Sequence, residues 1–177
     1  QLTHTTSPAL LFSGDYWYAS GINGLMREEL RNVVREARMW AKVQDGDWVL
    51  DIGANDGTLL SAWREHLWEG RPYRVALEPS PTFAAALQDV AECVVPDVFP
   101  CPELAGASDG TYKVITSIAM FYAVPDPVGF AHEVHRLLTD DGVWVVQMQD
   151  LRNMVRATAF DNICHEHLMS YDVKTFW

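Results

Sequence analysis

Apolar residues recur at helical spacing from Ile22 through Leu25, Met26, Leu30, Val33, Val34 and Ala37 to Trp40, with Arg and Glu between them. That period predicts an amphipathic helix from about Gly21 to just before Asp45-Gly46-Asp47. The pattern then shortens. Trp48–Ile52, Arg74–Glu78, Cys93–Val95, Lys113–Ser117 and Val143–Gln147 read as buried strands. Leu59–Leu67, Pro81–Val90 and Val128–Leu138 between them read as helices. Short apolar strands alternating with helices predict an α/β fold of the Rossmann-like type, a mostly parallel sheet in a three-layer sandwich. Residues 1–20 form an irregular lead-in with aromatic Tyr16, Trp17 and Tyr18, ahead of one domain over 21–177.

Composition agrees with one globular domain. The 177 residues are 49% hydrophobic and 21% charged. Thirteen Lys and Arg against 24 Asp and Glu leave a formal charge of −11. Cations are few and scattered, so a nucleic-acid backbone and an anionic membrane surface are both poor partners. No apolar run reaches the ~18–20 residues of a membrane span. No signal-peptide pattern opens the sequence. Cys93, Cys101 and Cys164 form no CxxC pair, so no metal is expected and a reducing cytoplasm is the expected location.

The chemistry begins at Asp51-Ile52-Gly53-Ala54-Asn55-Asp56-Gly57-Thr58, between the first strand and its helix. Asp51 falls where open α/β sheets bind ligands. The spacing is not that of a P-loop or of a dinucleotide-binding turn, and Asp56 would repel a phosphate. A cationic nucleoside without phosphate suits it, and S-adenosylmethionine (SAM) is one. Glu78, 21 residues past Gly57, can accept from both ribose hydroxyls, or serve only as a strand-end charge. Asp97 can accept from an adenine amine, beside apolar Val98, or make an Asx turn.

Together these residues resemble the class I SAM-dependent methyltransferases across residues 45–150. Phe160-Asp161-Asn162-Ile163-Cys164-His165-Glu166-His167-Leu168 with Tyr171 resembles the F-D-x-I-x-x-E-H segment of the sugar C-methyltransferases, which act on nucleotide-linked keto-deoxysugars. The stretch from Asp15 to Gly21 resembles the Y-x-Y-x-S-G run that precedes that family's first helix.

The resemblance implies a cofactor site of Asp51, Gly53, Asn55, Asp56, Gly57, Glu78, Pro79, Asp97, Val98, Ser117 and Ala119. It implies His167 as the base that takes a proton from carbon next to a carbonyl, with Glu166 in support or in contact with the substrate; the alternative is a polar surface loop without chemistry. Tyr16 or Tyr18 would hydrogen-bond the sugar's carbonyl or enolate oxygen, or else pack against the helix at Ile22. Met120, Phe121 and Tyr122 could line the methionine end of the cofactor, or only pack their loop. An O- or N-methyltransferase and a non-catalytic SAM-binding module share the cofactor half of this reading.

Three departures stand out. The family's cysteine-rich zinc module has no counterpart in this sequence. Ala123 stands where some members have a loop His. The sheet order expected is 3-2-1-4-5, without the usual final strand pair, as in a truncated domain. Asp172 would cap a last helix over Val173–Trp177. The strand-five edge would then be open to pairing with a second copy, a homo-oligomer.

Overall fold

The computed structural model describes residues 6–12, 16–65, 70–161 and 163–176. Asp15, Leu67, Asn162 and Trp177, each part of a sequence expectation, lie outside them. In chain order the elements are α1 (Pro8–Phe12), α2 (Gly24–Ala41), β1 (Trp48–Ile52), α3 (Thr58–Ala62), β2 (Tyr73–Leu77), α4 (Ala84–Val90), β3 (Cys93–Val95), α5 (Pro102–Ala105), β4 (Tyr112–Ile118), α6 (Pro127–Leu137), β5 (Leu138–Gln147), α7 (Leu151–Ala157) and α8 (Val173–Phe176). The five strands form one sheet in the order β3-β2-β1-β4-β5, and every pairing is parallel.

Strand alternation splits the core into two layers. Val49, Ala76 and Val114 face one side, where they meet Leu30, Val34 and Ala37 of α2, Leu59 and Leu60 of α3, and Leu87 of α4. Leu50, Ile52, Val75, Leu77 and Ile115 face the other, against Leu104 of α5 and Phe130, Val134 and Leu137 of α6. Both faces are covered, which is why the strands read as near-continuous apolar runs.

Element boundaries moved for local reasons. Helix α2 starts at Gly24 rather than Gly21, because Ser20–Ile22 form a 3₁₀ turn and Asn23 Oδ1 caps the helix by accepting from Leu25 N at 2.9 Å. Strand β5 begins at Leu138 rather than Val143. Leu138 pairs with Tyr112, and an irregularity through polar Thr139–Gly142 separates that bridge from the apolar run. Helix α7 has no counterpart in the sequence reading. Asp150 starts it by accepting from Asn153 N at 3.2 Å.

Candidate functional site

The carboxyl ends of β1, β2 and β4 open into a cavity of about 560 Å³. Asp51, next to last in β1, reaches it from a buried position. Thr116 Oγ1 donates to Asp51 Oδ1 at 2.6 Å. Burial, and then the like charge of Glu78, push the Asp51 carboxyl up to about 7, while the Thr116 hydrogen bond pulls it down. Glu78 follows β2 and is also buried. Its Oε2 accepts from Asn55 N at 2.8 Å and its Oε1 from Ser80 N at 2.9 Å. Burial raises its carboxyl, against the pull of those two amides. Each oxygen keeps a lone pair for a further donor.

The glycine loop is folded back onto β2. Gly53 N and Ala54 N both donate to Leu77 O, at 2.8 and 3.1 Å. Gly53 has φ +77, the left-handed region that favours glycine, and a Cβ there would sit 3.3 Å from Met120 Cγ at the cavity wall. Asn55 also has positive φ, at 52. Its side chain turns to the lead-in, accepting from Ser20 N at 2.9 Å and donating to Tyr18 O at 2.8 Å. Asp56 Oδ2 accepts from Gly21 N at 2.7 Å, and its Oδ1 accepts from Thr58 Oγ1 at 2.7 Å.

The opposite wall brings together residues far apart in sequence. Tyr16, Tyr18, Tyr122 and Glu166 all line the cavity. Burial, then Glu166 and Glu78, push the Tyr16 hydroxyl up to about 12, so it stays a protonated donor at neutral pH. Burial, then Tyr16 and Glu166, raise Tyr122 further. The His167 ring lies against Tyr122, centroids 4.1 Å apart, and its Nδ1 is 3.2 Å from Gln149 Nε2. Met169 N donates to Tyr122 O at 3.0 Å, which fastens the C-terminal segment to the loop after β4.

Of the residues singled out by sequence, Tyr16, Tyr18, Asp51, Gly53, Asn55, Asp56, Glu78, Pro79, Val98, Ala119 and Glu166 line this cavity. Four stand away from it. Gly57 packs under α4, where a Cβ would lie 2.5 Å from Val90 Cγ2. Ser117 is fully buried, and its Oγ accepts from Trp144 Nε1 at 3.1 Å. Asp97 accepts from the following Val98 N at 2.7 Å and clusters with Cys101 and Glu103, their ligand-type atoms within 4.8 Å of one another. His167 packs its ring on Tyr122 and is not among the residues lining the cavity.

Met120 and Tyr122 face the cavity, whereas Phe121 is buried among Phe130, Trp144 and Tyr171. Sequence reading missed Thr116 and Gln149. Thr116 was findable: it pairs in register with Asp51 on the neighbouring strand, and a two-residue period puts both on one face. Gln149, in the irregular stretch after β5, carried no such signal.

Residues 23–176 match the family described as a methyltransferase domain. The chain belongs to that family, a class I SAM-dependent methyltransferase fold, and SAM is the cofactor of its class. It is similar to the C-methyltransferase NovU of Streptomyces niveus, 26% identical over 174 residues, 97% of this chain and 40% of that protein. The chain thus spans 40% of that relative's length. Among solved structures it is similar to a chain of the Haloferax volcanii complex between the Trm112 methyltransferase activator and a methyltransferase (TM-score 0.68, 19% identity, 88% of this chain and 69% of that one). It is similar as well to a SAM-dependent methyltransferase from Archaeoglobus fulgidus (TM-score 0.65, 15% identity, 85% and 65%). Among the described residues no helix is long and apolar enough to cross a membrane.

Proposed function

We propose that this domain methylates carbon in a nucleotide-linked keto-deoxysugar, with SAM as methyl donor. The observation that carries the reading is convergence. Tyr16 and Tyr18 from one end of the sequence and Glu166 from the other line a single cavity with Asp51, Gly53 and Glu78.

The donor set suits SAM. The charged residues among the described lining are Asp51, Asp56, Glu78 and Glu166, with no Lys or Arg. Such a wall favours a cation and disfavours the pyrophosphate of a dinucleotide. Glu78, whose oxygens are already aimed by two amides, is suited to ribose hydroxyls, and Asp51 to the amino group. When bound, SAM supplies a methyl group on a positively charged sulfur.

The chain's own residues act on the acceptor. A proton leaves the carbon beside the carbonyl for the Glu166–His167 pair, and the electron pair moves onto the carbonyl oxygen. Tyr16, held protonated, donates to that oxygen as its charge grows. The carbon so activated would take the methyl that bound SAM would supply, the C–S electrons leaving with sulfur. The remaining demand is alignment.

One observation favours a second reading, methylation of oxygen or nitrogen: His167 packs on Tyr122 and is not among the residues lining the cavity. A mass-spectrometric screen of nucleotide-linked keto-sugars with isotope-labelled SAM tests the first reading. Mass gain on carbon supports it. No product from any keto-sugar by a protein that binds SAM removes it, and turnover surviving His167→Ala points to the second. Among the described residues β5 is the last strand of the sheet, which supports self-association along that edge, and size-exclusion chromatography with light scattering tests it.

A further inference from the structure

We propose that Asn55 and Asp56 are positioning residues, a latch that sets the acceptor-side tyrosines in place through the glycine loop. Three backbone groups of the lead-in end on these two side chains: Ser20 N on Asn55 Oδ1 at 2.9 Å, Tyr18 O on Asn55 Nδ2 at 2.8 Å, and Gly21 N on Asp56 Oδ2 at 2.7 Å. The residues so held, Tyr18 and Ser20, line the cavity together with Tyr16. The same Asn55 donates its backbone N–H to Glu78 Oε2 at 2.8 Å. A single residue therefore touches the carboxylate on the donor side and the segment on the acceptor side.

The fit is tight from both directions. Asn55 holds its side chain outward from a left-handed backbone, φ 52, which Asn tolerates better than most residues. Asp56 is fixed in turn by Thr58, whose N and Oγ1 both donate to Oδ1, at 3.1 and 2.7 Å. Gly21 approaches so closely that a Cβ would lie 2.7 Å from Thr58 Oγ1 and 2.8 Å from Asp56 Oδ2. A side chain at 21 would force Asp56 and Thr58 to turn aside or the lead-in to lift, and either breaks the Gly21 N–Asp56 bond.

The physical consequence is reciprocal. Whatever fixes the glycine loop fixes Tyr18–Gly21, and loosening the lead-in loosens the loop. On the methyl-donor reading above, cofactor binding prepares the acceptor wall before the acceptor arrives.

The test is amide hydrogen exchange at Ser20 and Gly21, with S-adenosylhomocysteine (SAH) as the probe, beside SAH affinity by calorimetry. Wild type is compared with Asn55→Gly, which removes the side chain and keeps the left-handed backbone, and with Asp56→Ala. Gly21→Ala opens the latch from the lead-in and leaves the loop sequence intact. Without SAH, each variant exchanges faster at these amides, by about fivefold per hydrogen bond lost. With SAH, wild type gains protection there. Asn55→Gly and Gly21→Ala gain none, and the SAH affinity of Gly21→Ala stays within about fivefold of wild type, the worth of one such bond.

Equal exchange in wild type and Gly21→Ala overturns the latch. So does an affinity loss in Asn55→Gly as large as that of a Glu78 variant, which makes Asn55 a cofactor ligand. Wild type that shows the latch without SAH but binds no SAH overturns the methyl-donor reading and the link to cofactor, and keeps only the contact.

Discussion

The Thr116 hydroxyl donates to the Asp51 carboxylate at 2.6 Å across the β1–β4 ladder, where the two residues are register partners. This bond is one lever on a buried acid whose charge is set by competition. Burial and Glu78 favour the neutral form, and Thr116 favours the ion.

SAM affinity is therefore expected to rise with pH through about 7, as Asp51 ionises. Calorimetric titration between pH 5.5 and 8.5 reads it. Thr116→Val removes the bond that stabilises the ion, so its inflection lies about one unit higher, the lower end of what a hydrogen bond to a charge supplies. Asp51→Asn gives a flat profile. A wild-type profile without slope disproves the role of Asp51 in holding the cation.

The same acid affects folding with a definite sign. Its folded pKa is raised, so its contribution to stability is fully present below the ordinary carboxylate range and is lost as pH rises through about 7. Urea denaturation of wild type against Asp51→Asn should show this loss in wild type alone.

Gly57→Ala attacks the turn. The residue has φ +77, and its Cβ would lie 2.5 Å from Val90 Cγ2 and 3.2 Å from Leu87 Cδ2. Left-handed strain and overpacking together should cost about 3 kcal/mol. A midpoint shift worth under about 1 kcal/mol would mean that α4 yields easily.

Glu78→Gln keeps the shape and removes the charge. Its amide NH₂ then faces one of the two backbone donors that now converge on the carboxylate, Asn55 N or Ser80 N. SAM affinity should fall about ten- to a hundredfold, the scale of hydrogen bonds to a charged group. The melting curve controls for folding.

On the carbon-methylation reading proposed above, His167 would take the proton and Gln149 would set its ring. With Gln149 Nε2 donating to Nδ1 the ring carries its hydrogen on Nε2, and with the amide turned over Nε2 is left bare as a base. His167→Ala should lower carbon methylation by about 10² to 10⁴, the range of general base catalysis, with SAM affinity unchanged. Gln149→Glu places a carboxylate beside the ring and should move the ascending, low-pH limb of the rate–pH profile to higher pH. An unmoved profile would separate Gln149 from the chemistry.

The strands were legible because β1, β2 and β4 each carry a short apolar run, and their order followed from the resemblance to class I methyltransferases that the glycine loop and Glu78 carry. Asp51 and Glu78 could be placed at the cavity because strand ends in such folds share one edge. Leu138–Gly142 hid half of β5 in a polar stretch. Ser117 and Asp97 sit one residue out of phase with cavity-facing neighbours, Ile118 and Val98. Sequence places a residue near a strand end more easily than it tells which way the side chain turns. The bonds from Asn55 and Asp56 to the lead-in span 35 positions and follow no period, so only three-dimensional structure discloses them.

The strand order β3-β2-β1-β4-β5 means that the chain winds outward one way from β1, then returns to β4 and winds outward the other way. The loops leaving β1 and β4 part company where the winding reverses, so the hollow between them is a product of connectivity before any side chain is chosen. One rim, Gly53 to Asp56 and Glu78, can remain fixed while the other, from Ala119 to Pro125 with Glu166, is rewritten. On the reading proposed above, substitution among Tyr122–Pro125 and Glu166 would change the acceptor while leaving the Gly53–Asp56 and Glu78 rim intact.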